Sequence, residues 1–313
     1  MKKGFIAFVV VDCLLLVLFF LAGTADLLLK EEAVEVRQIS VVTDTVVSGS
    51  ADTITAGVNQ AAVEHNIDFN TVNLSALSTE EQVSSIQREA DNGAEGFIFL
   101  LQDEAMQNGL LEAVPSSLPV VVIGTDSVYP LVRLVIGETR EVRAQILADG
   151  IIEGRANGET VTLISLENTP DTVTMFHECL SEKLNDAGIL VRESRLSSFS
   201  EAATLAKGLS AQGGNILVSA ELSLLEVLAE NCGEAPLYGV GWSPSLRPYL
   251  EAGGIDGLLV ERGFESGYFA TKGMAELLKS AGVSRKTMSM DNIVITQENM
   301  YEEETESFIF PYT

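Results

Sequence analysis

The sequence predicts an α/β fold made of two similar lobes, each a parallel β-sheet flanked by helices. Short apolar runs rich in β-branched residues alternate with amphipathic stretches of helical length along most of the 313 residues. The connections between them are short, as in doubly wound parallel sheets. The strand–helix pattern starts again near Thr160, which predicts a second lobe built like the first.

The first series opens with a strand, a polar loop and a helix in residues 39–66. Ile39, Val41 and Val42 form the β-branched run of a strand that is covered on both faces. Ser78 and Glu81 have the spacing of a capping box at the start of a later helix. Further strands are predicted at 69–74, 96–101 and 119–123, and further helices at 51–62 and 105–114.

The second series repeats the alternation and ends in an acidic tail. Residues 131–137 extend the first pattern before the next helix begins. Strands are predicted at 160–165, 189–196, 216–218, 237–240, 255–260 and 292–296. Helices are predicted at 138–154, 171–187, 200–211, 222–230, 243–252 and 265–281. The apolar end of the tail, 308–312, is predicted to dock on a lobe.

Charge and motif content exclude several classes of function. The formal charge is −26, from 45 acidic and 19 basic residues, and such a field repels nucleic acids and anionic lipid head groups. The sequence has no metal-ligand spacing, P-loop, dinucleotide fingerprint or nucleophile elbow. We therefore expect a protein that is not an enzyme and uses no cofactor and no metal. Cys179 and Cys232 are predicted to be buried free thiols, and His177 to be structural.

The N-terminus has the pattern of an export signal. Residues 4–23 are apolar except for Asp12, which is about the length that spans a bilayer. Lys2 and Lys3 precede this segment and acidic residues follow it, so the body of the chain is predicted to be extracytoplasmic. The length of the segment favours a retained membrane anchor, while the small residues at 23–25 leave a cleaved signal peptide open.

The order of these pieces resembles the type I periplasmic binding proteins of the ribose/galactose-binding family, over residues 39–297. The segments that carry the resemblance are VVTDTVVSGSADTITAGVNQAAVEHNID, STEEQVSSIQREADNGAEGFIFL, LPVVVIGTD, IGETREVRAQILADGII and LYGVGWSPSLRPYLEAGGIDGLLVERGFESGYFATKGMAELL. The resemblance implies two Rossmann-like lobes, joined by three hinge strands, that close on a solute. It places 39–126 plus 264–287 in the N-terminal lobe and 127–263 plus 288–297 in the C-terminal lobe. A leading segment, 1–38, and an acidic tail, 298–313, lie outside them.

Ligands of parallel α/β sheets bind beyond the carboxyl ends of the strands, and the resemblance implies the same positions. The predicted ligand-binding residues are Asp44, Thr45, Ser48, Ser50, Thr125, Asp126, Phe176, Glu221, Trp242 and Glu261. Several have structural alternatives, which are a helix cap for Asp44, a turn for Asp126, core packing for Phe176 and Trp242, and an ion pair with Arg262 for Glu261.

The chain also departs from the sugar-binding pattern of the family. Ser50 and Ala51 stand where the family presents aromatic residues, and Phe176 stands where it has an arginine. The family's hinge glutamine is Glu261 here. Because the candidates include four acids and no base, the predicted ligand is a neutral polyol or a cationic solute.

Two functions follow from the resemblance and the N-terminus. The first is an extracytoplasmic solute-binding protein that delivers a small sugar-like ligand to the permease of an ABC importer. The alternative is a membrane-tethered receptor of the same fold that reports ligand occupancy to a sensor partner such as a histidine kinase.

Overall fold

The structure is a computed structural model that describes residues 14–20, 35–43, 49–75, 77–101, 104–124, 129–154, 159–280 and 284–309. The chain divides into two compact units, Met1–Val36 and Arg37–Thr313. In the first unit, residues 14–20 are helical (α1), and their Leu, Val and Phe side chains are 57–82% exposed. The rest of the predicted span 4–23 lies outside the described residues. Among the helices that are described, none has both the length and the hydropathy to cross a bilayer.

The second unit contains two six-stranded sheets. The first sheet has the order β11-β5-β4-β3-β1-β2, and all its strand pairs are parallel. Its strands are β1 (Arg37–Thr43), β2 (Ile67–Asn73), β3 (Phe97–Leu100), β4 (Val120–Ile123), β5 (Val132–Ile136) and β11 (Lys286–Met288). Its helices are α2 (Gly49–His65), α3 (Thr79–Asp91), α4 (Glu104–Ala113) and α10 (Gly263–Lys279).

The second sheet has the order β12-β10-β9-β8-β6-β7, in which only β12 is antiparallel to its neighbour. Its strands are β6 (Thr160–Leu166), β7 (Val191–Leu196), β8 (Asn215–Ser219), β9 (Leu237–Val240), β10 (Gly257–Glu261) and β12 (Asn292–Ile295). Its helices are α5 (Arg140–Gly154), α6 (Asp171–Asp186), α7 (Phe199–Gln212), α8 (Leu222–Asn231), α9 (Arg247–Glu251) and α11 (Glu303–Ile309).

Both faces of the first sheet are covered, because successive strand residues point to opposite sides. Ile39 and Val41 of β1 belong to the apolar cluster beneath α2 and α10, whereas Val42 belongs to the cluster on the other face. The predicted capping box is present at α3, where the Ser78 N–H donates to Glu81 Oε2 at 2.8 Å. These local patterns are therefore confirmed.

Three predicted boundaries differ from the structure. The predicted lobe boundary after Asp126 is wrong, because Val132–Ile136 pairs with β4 in the first sheet and the chain leaves that sheet only after Ile136. The boundary after residue 287 divides β11, which pairs with β5 through Met288. The helix predicted at 243–252 is a turn followed by the short α9, because Pro248 near its start leaves only one helical turn.

The C-terminal tail docks on the second lobe, as predicted for its apolar end. Phe308 and Ile309 of α11 are 3% and 4% exposed and belong to the main apolar cluster of that lobe. Residues 310–312 lie outside the described residues. Cys179 and Cys232 are both free, and only Cys232 is fully buried.

Candidate functional site

The chain passes between the two sheets three times, and each passage is short. The first crossing is 137–139, between β5 and α5, the second is Arg262, between β10 and α10, and the third is 289–291, between β11 and β12. Three residues span at most about 10 Å. The carboxyl ends of β5, β10 and β11 must therefore lie close to one another, and the carboxyl edges of the two sheets adjoin.

The carboxyl ends of the other strands border the space between the two lobes. All three crossings involve strands at one side of each sheet, β5 and β11 in the first and β10 and β12 in the second. Helix α4 of the first lobe also lies within contact distance of helix α6 of the second. This arrangement makes the strand ends on both sides the candidate functional site.

The first and third crossings are held together by direct hydrogen bonds. The Gly137 N–H donates to the Met288 carbonyl oxygen at 3.0 Å, and Ser289 Oγ donates to Glu138 Oε1. Gly137 has φ 140°, and a Cβ at this position would overlap the carbonyl oxygen of Gly124. Only glycine fits this backbone, so the geometry of the two crossings depends on it.

Glu221, a predicted ligand residue, makes an internal hydrogen bond. It stands directly before α8, and its Oε1 accepts a hydrogen bond from the Leu166 N–H at 2.8 Å. The carboxylate therefore joins the carboxyl end of β6 to the segment that follows β8. This bond was not predicted, because it links residues 55 positions apart.

Phe176 lies on α6 and is 5% exposed, within the apolar cluster between α5 and the second sheet. The guanidinium of Arg143 lies over its ring, with 5.9 Å between the guanidinium carbon and the ring centroid. The ring of this predicted ligand residue thus already has a cationic neighbour. Arg143 was missed as a candidate, since nothing in the sequence indicates which face of α5 meets α6.

Trp242 follows β9 and is 4% exposed. It belongs to the main apolar cluster of the second lobe, with Leu246, Leu250 and Val260. The structure therefore brings its ring into contact with core residues of one lobe.

Glu261 is the last residue of β10 and is partly exposed. It lies opposite Asn292 in the antiparallel pairing with β12. The suggested ion pair between Glu261 and Arg262 is wrong, because Arg262 Nη1 instead contacts Glu265 Oε1 at 3.2 Å. Of the predicted ligand residues that are described, Glu261 alone combines partial exposure with a position at a crossing.

The first-lobe candidates are not placed by the structure. Asp44, Thr45, Ser48, Thr125 and Asp126 lie outside the described residues. The backbone of Ser50 is part of α2, and its side chain is not described. These six positions stay predictions.

Two further polar side chains of the second lobe, Ser243 and His177, are buried. Ser243 Oγ, in the segment after β9, donates to Glu226 Oε1 of α8 at 2.7 Å. Burial, followed by the charge of Arg195, lowers the pKa of His177 to about 4, so this side chain is neutral at pH 7. Within the described residues, no group of three metal-ligating side chains comes together.

The fold is shared with solved structures of sugar-binding proteins. No model of a known protein family matches the chain, and neither does any curated protein sequence. A carbohydrate transporter solute-binding protein from Agrobacterium radiobacter, solved with D-arabinose, is 14% identical with a TM-score of 0.75, over 88% of this chain and 99% of its own. A glucose-galactose binding protein from Geobacillus stearothermophilus is 18% identical with a TM-score of 0.72, over 85% and 99%.

A periplasmic ribose ABC transporter structure from Conexibacter woesei is also similar, with 16% identity and a TM-score of 0.70, over 87% of this chain and 97% of its own. Together these likenesses confirm the predicted fold of the type I periplasmic binding proteins. The first two of these neighbours are binding proteins. The chain is thus distantly similar in structure to the sugar-binding components of ABC transporters.

Proposed function

We propose that this protein captures a small polar, sugar-like solute between its two lobes, outside the cytoplasm, for an ABC importer. The observation that carries the proposal is the set of three short crossings, which brings the carboxyl edges of both sheets together. Two lobes joined in this way can close around a ligand, because contacts to both lobes favour the closed arrangement. The sugar ligands named for structural neighbours support the same class of solute.

The proposed contacts come mainly from the first-lobe loops and from Glu261. The loop residues are Asp44, Thr45, Ser48, Ser50, Thr125 and Asp126. Glu221, Phe176 and Trp242 already have internal contacts, and we propose them as supports of the cleft wall. Since the proposed contacts include three acids and no base, a neutral polyol or a cationic solute fits better than a phosphate or a carboxylate.

A second candidate is a membrane-tethered receptor that signals occupancy to a sensor partner. The observation that favours it is the run of exposed large apolar side chains on residues 14–20, within the segment predicted to be a retained anchor. Mass spectrometry of the N-terminus of the native protein distinguishes the two. A chain that retains residues 4–23 supports the tether, and a free soluble form that begins after residue 25 removes it.

A thermal-shift screen of the purified chain tests the proposal. The panel contains arabinose, ribose, glucose, galactose and fucose, together with polyols, polyamines and nucleosides. A solute present at 100 times its Kd stabilises the folded state by about 2.7 kcal/mol, which raises the melting temperature by several degrees. Glu261→Ala should reduce that shift, while Glu230→Ala, on the exposed side of α8, should not. A panel that leaves the melting temperature unchanged throughout would contradict a solute-binding function.

A further inference from the structure

The C-terminal helix contacts the hinge of the protein. Helix α11 follows the last strand of the second sheet and buries Phe308 and Ile309 in the core of that lobe. The ring of Phe308 lies beneath the guanidinium of Arg262, with 4.4 Å between the guanidinium carbon and the ring centroid. Arg262 is the whole of the second crossing, since β10 ends at Glu261 and α10 begins at Gly263.

The same guanidinium also contacts the first lobe. Arg262 Nη1 lies 3.2 Å from Oε1 of Glu265, in the first turn of α10. Helix α10 packs against α2, β4 and β5, so Glu265 moves with the first lobe. Phe308 moves with the second lobe, because its ring is 3% exposed within that core. Arg262 is therefore held by one group from each lobe.

The geometry favours aromatic contact over a hydrogen-bond network as the anchor of this side chain. Arg262 Nε is buried, and among the described residues it has no hydrogen-bond partner. A guanidinium packed against an aromatic face keeps its orientation through cation–π attraction and contact area. Loss of the ring would leave the side chain tied to the first lobe alone, through a partly exposed ion pair of small energetic value.

We propose that Phe308 is a positioning residue for lobe closure, which acts through Arg262 to set the equilibrium between open and closed arrangements. The inference rests on the proposed function, since closure is the motion that captures a solute. A partly buried cation–π contact changes a two-state equilibrium by about threefold to tenfold. The C-terminal tail would then tune solute affinity without contacting the solute.

The test measures the distance between the lobes in the full chain with no solute present. Spin labels are placed on Val63→Cys in α2 and Leu190→Cys before β7, which are 80% and 58% exposed in the wild type. Cys13 and Cys179 are replaced by serine, and Cys232, 1% exposed, is protected from labelling. Pulsed electron paramagnetic resonance should show that Phe308→Leu shifts the population between the two arrangements by about threefold or more.

Two further variants separate positioning from stability. Ile309→Ala removes a side chain of similar burial from the same helix and core, so it should lower the melting temperature while the distance distribution stays as in the wild type. Arg262→Gln should shift the distribution as Phe308→Leu does, and the double variant should shift it no further.

An unchanged distribution in Phe308→Leu, or an equal shift in Ile309→Ala, would overturn the inference. Because the distance measurement uses no solute, neither result contradicts the proposed solute-binding function, which the thermal-shift screen tests. Conversely, a screen that finds no ligand does not change what the distance measurement shows about Phe308.

Discussion

The two lobes share one architecture, but neighbouring elements are joined by backbone contacts at glycines in the first lobe and by side-chain contacts in the second. In the first lobe, α10 returns from the second sheet and lies against α2 with backbone touching backbone. A Cβ at Gly57 would overlap the Phe264 carbonyl oxygen, and one at Gly267 would overlap that of Ile54. In the second lobe, side chains join neighbouring elements, as Glu221 does between the ends of β6 and β8 and Arg143 does between α5 and α6.

This difference affects where solute specificity can arise. Three of the four described candidates of the second lobe, Glu221, Phe176 and Trp242, already have internal contacts, so a ligand would have to replace those contacts. In the first lobe the described α2–α10 junction is formed by glycines and backbone, and the proposed ligand contacts lie in the loops at 44–48 and 125–126 and at Ser50. We therefore expect the first-lobe loops and Glu261 to determine which solute binds.

The largest effect is expected where the two helices of the first lobe touch. Gly57→Ala should lower the free energy of unfolding by about 4 kcal/mol, because the new methyl group meets a backbone oxygen and the helices must separate. Separation would also loosen the buried packing of Ile54, Val58 and Ala270. Urea unfolding of the purified chain measures the change. A loss below about 1 kcal/mol would show that the helices separate easily. It would contradict the view that close backbone contact holds the first lobe together.

A buried histidine gives the second lobe a dependence on pH. The pKa of His177 is about 4 in the folded protein and 6.5 in its ordinary state. Between these two pH values His177 is protonated in the unfolded chain and neutral in the folded protein. The contribution of neutral His177 to the free energy of unfolding is therefore complete above pH 6.5 and is lost as the pH falls toward 4. Its full size is about 3 kcal/mol.

The His177→Leu variant should remove this contribution. The free energy of unfolding, measured from pH 7 to pH 4, should fall less steeply in the variant than in the wild type. The carboxylate titrations contribute to the slope of both proteins, so the difference between the slopes reports His177. Equal slopes in the two proteins would mean that His177 is protonated in the folded state.

The internal role of Glu221 can be separated from ligand contact. Glu221→Ala should lower the free energy of unfolding by about 2 kcal/mol without solute, because the Leu166 N–H loses its acceptor. Glu221→Gln keeps a side-chain oxygen and should cost less than half as much. If Glu221→Ala unfolds at the wild-type urea concentration, the carboxylate has no structural role, and direct contact with the solute becomes the better interpretation.

The smallest effect is expected at glycines away from the helix junction. No described residue has an atom within 4 Å of a Cβ built at Gly109 in α4 or at Gly208 in α7. Alanine at either helical position should stabilise the protein by about 0.5–1 kcal/mol, because it restricts the unfolded chain. Thermal unfolding measures this gain in each lobe. Destabilisation at both sites would show that glycine is needed throughout these helices, and not only where α2 meets α10.

The sequence by itself determined most of the elements and their order, because these depend on contacts between near neighbours. The sequence pattern does not indicate β11 or α11. The β-branched run at Ile39–Val42 specified a buried strand, and Ser78 with Glu81 specified a helix start that the structure confirms. The restart at Thr160 indicated the second lobe. Side-chain period and capping act within a few residues, so they are visible in the sequence.

Only the tertiary structure decided where the chain first leaves the first sheet and which partners meet at the site. The assignment of Val132–Ile136 to the first sheet depends on hydrogen bonds to β4, and the same residues suit either lobe by pattern. The Arg143–Phe176 contact joins two helices, and the Arg262–Phe308 contact joins a crossing to the tail. Such contacts depend on how helices and strands pack in space. They join residues far apart in the chain, so no local sequence pattern predicts them.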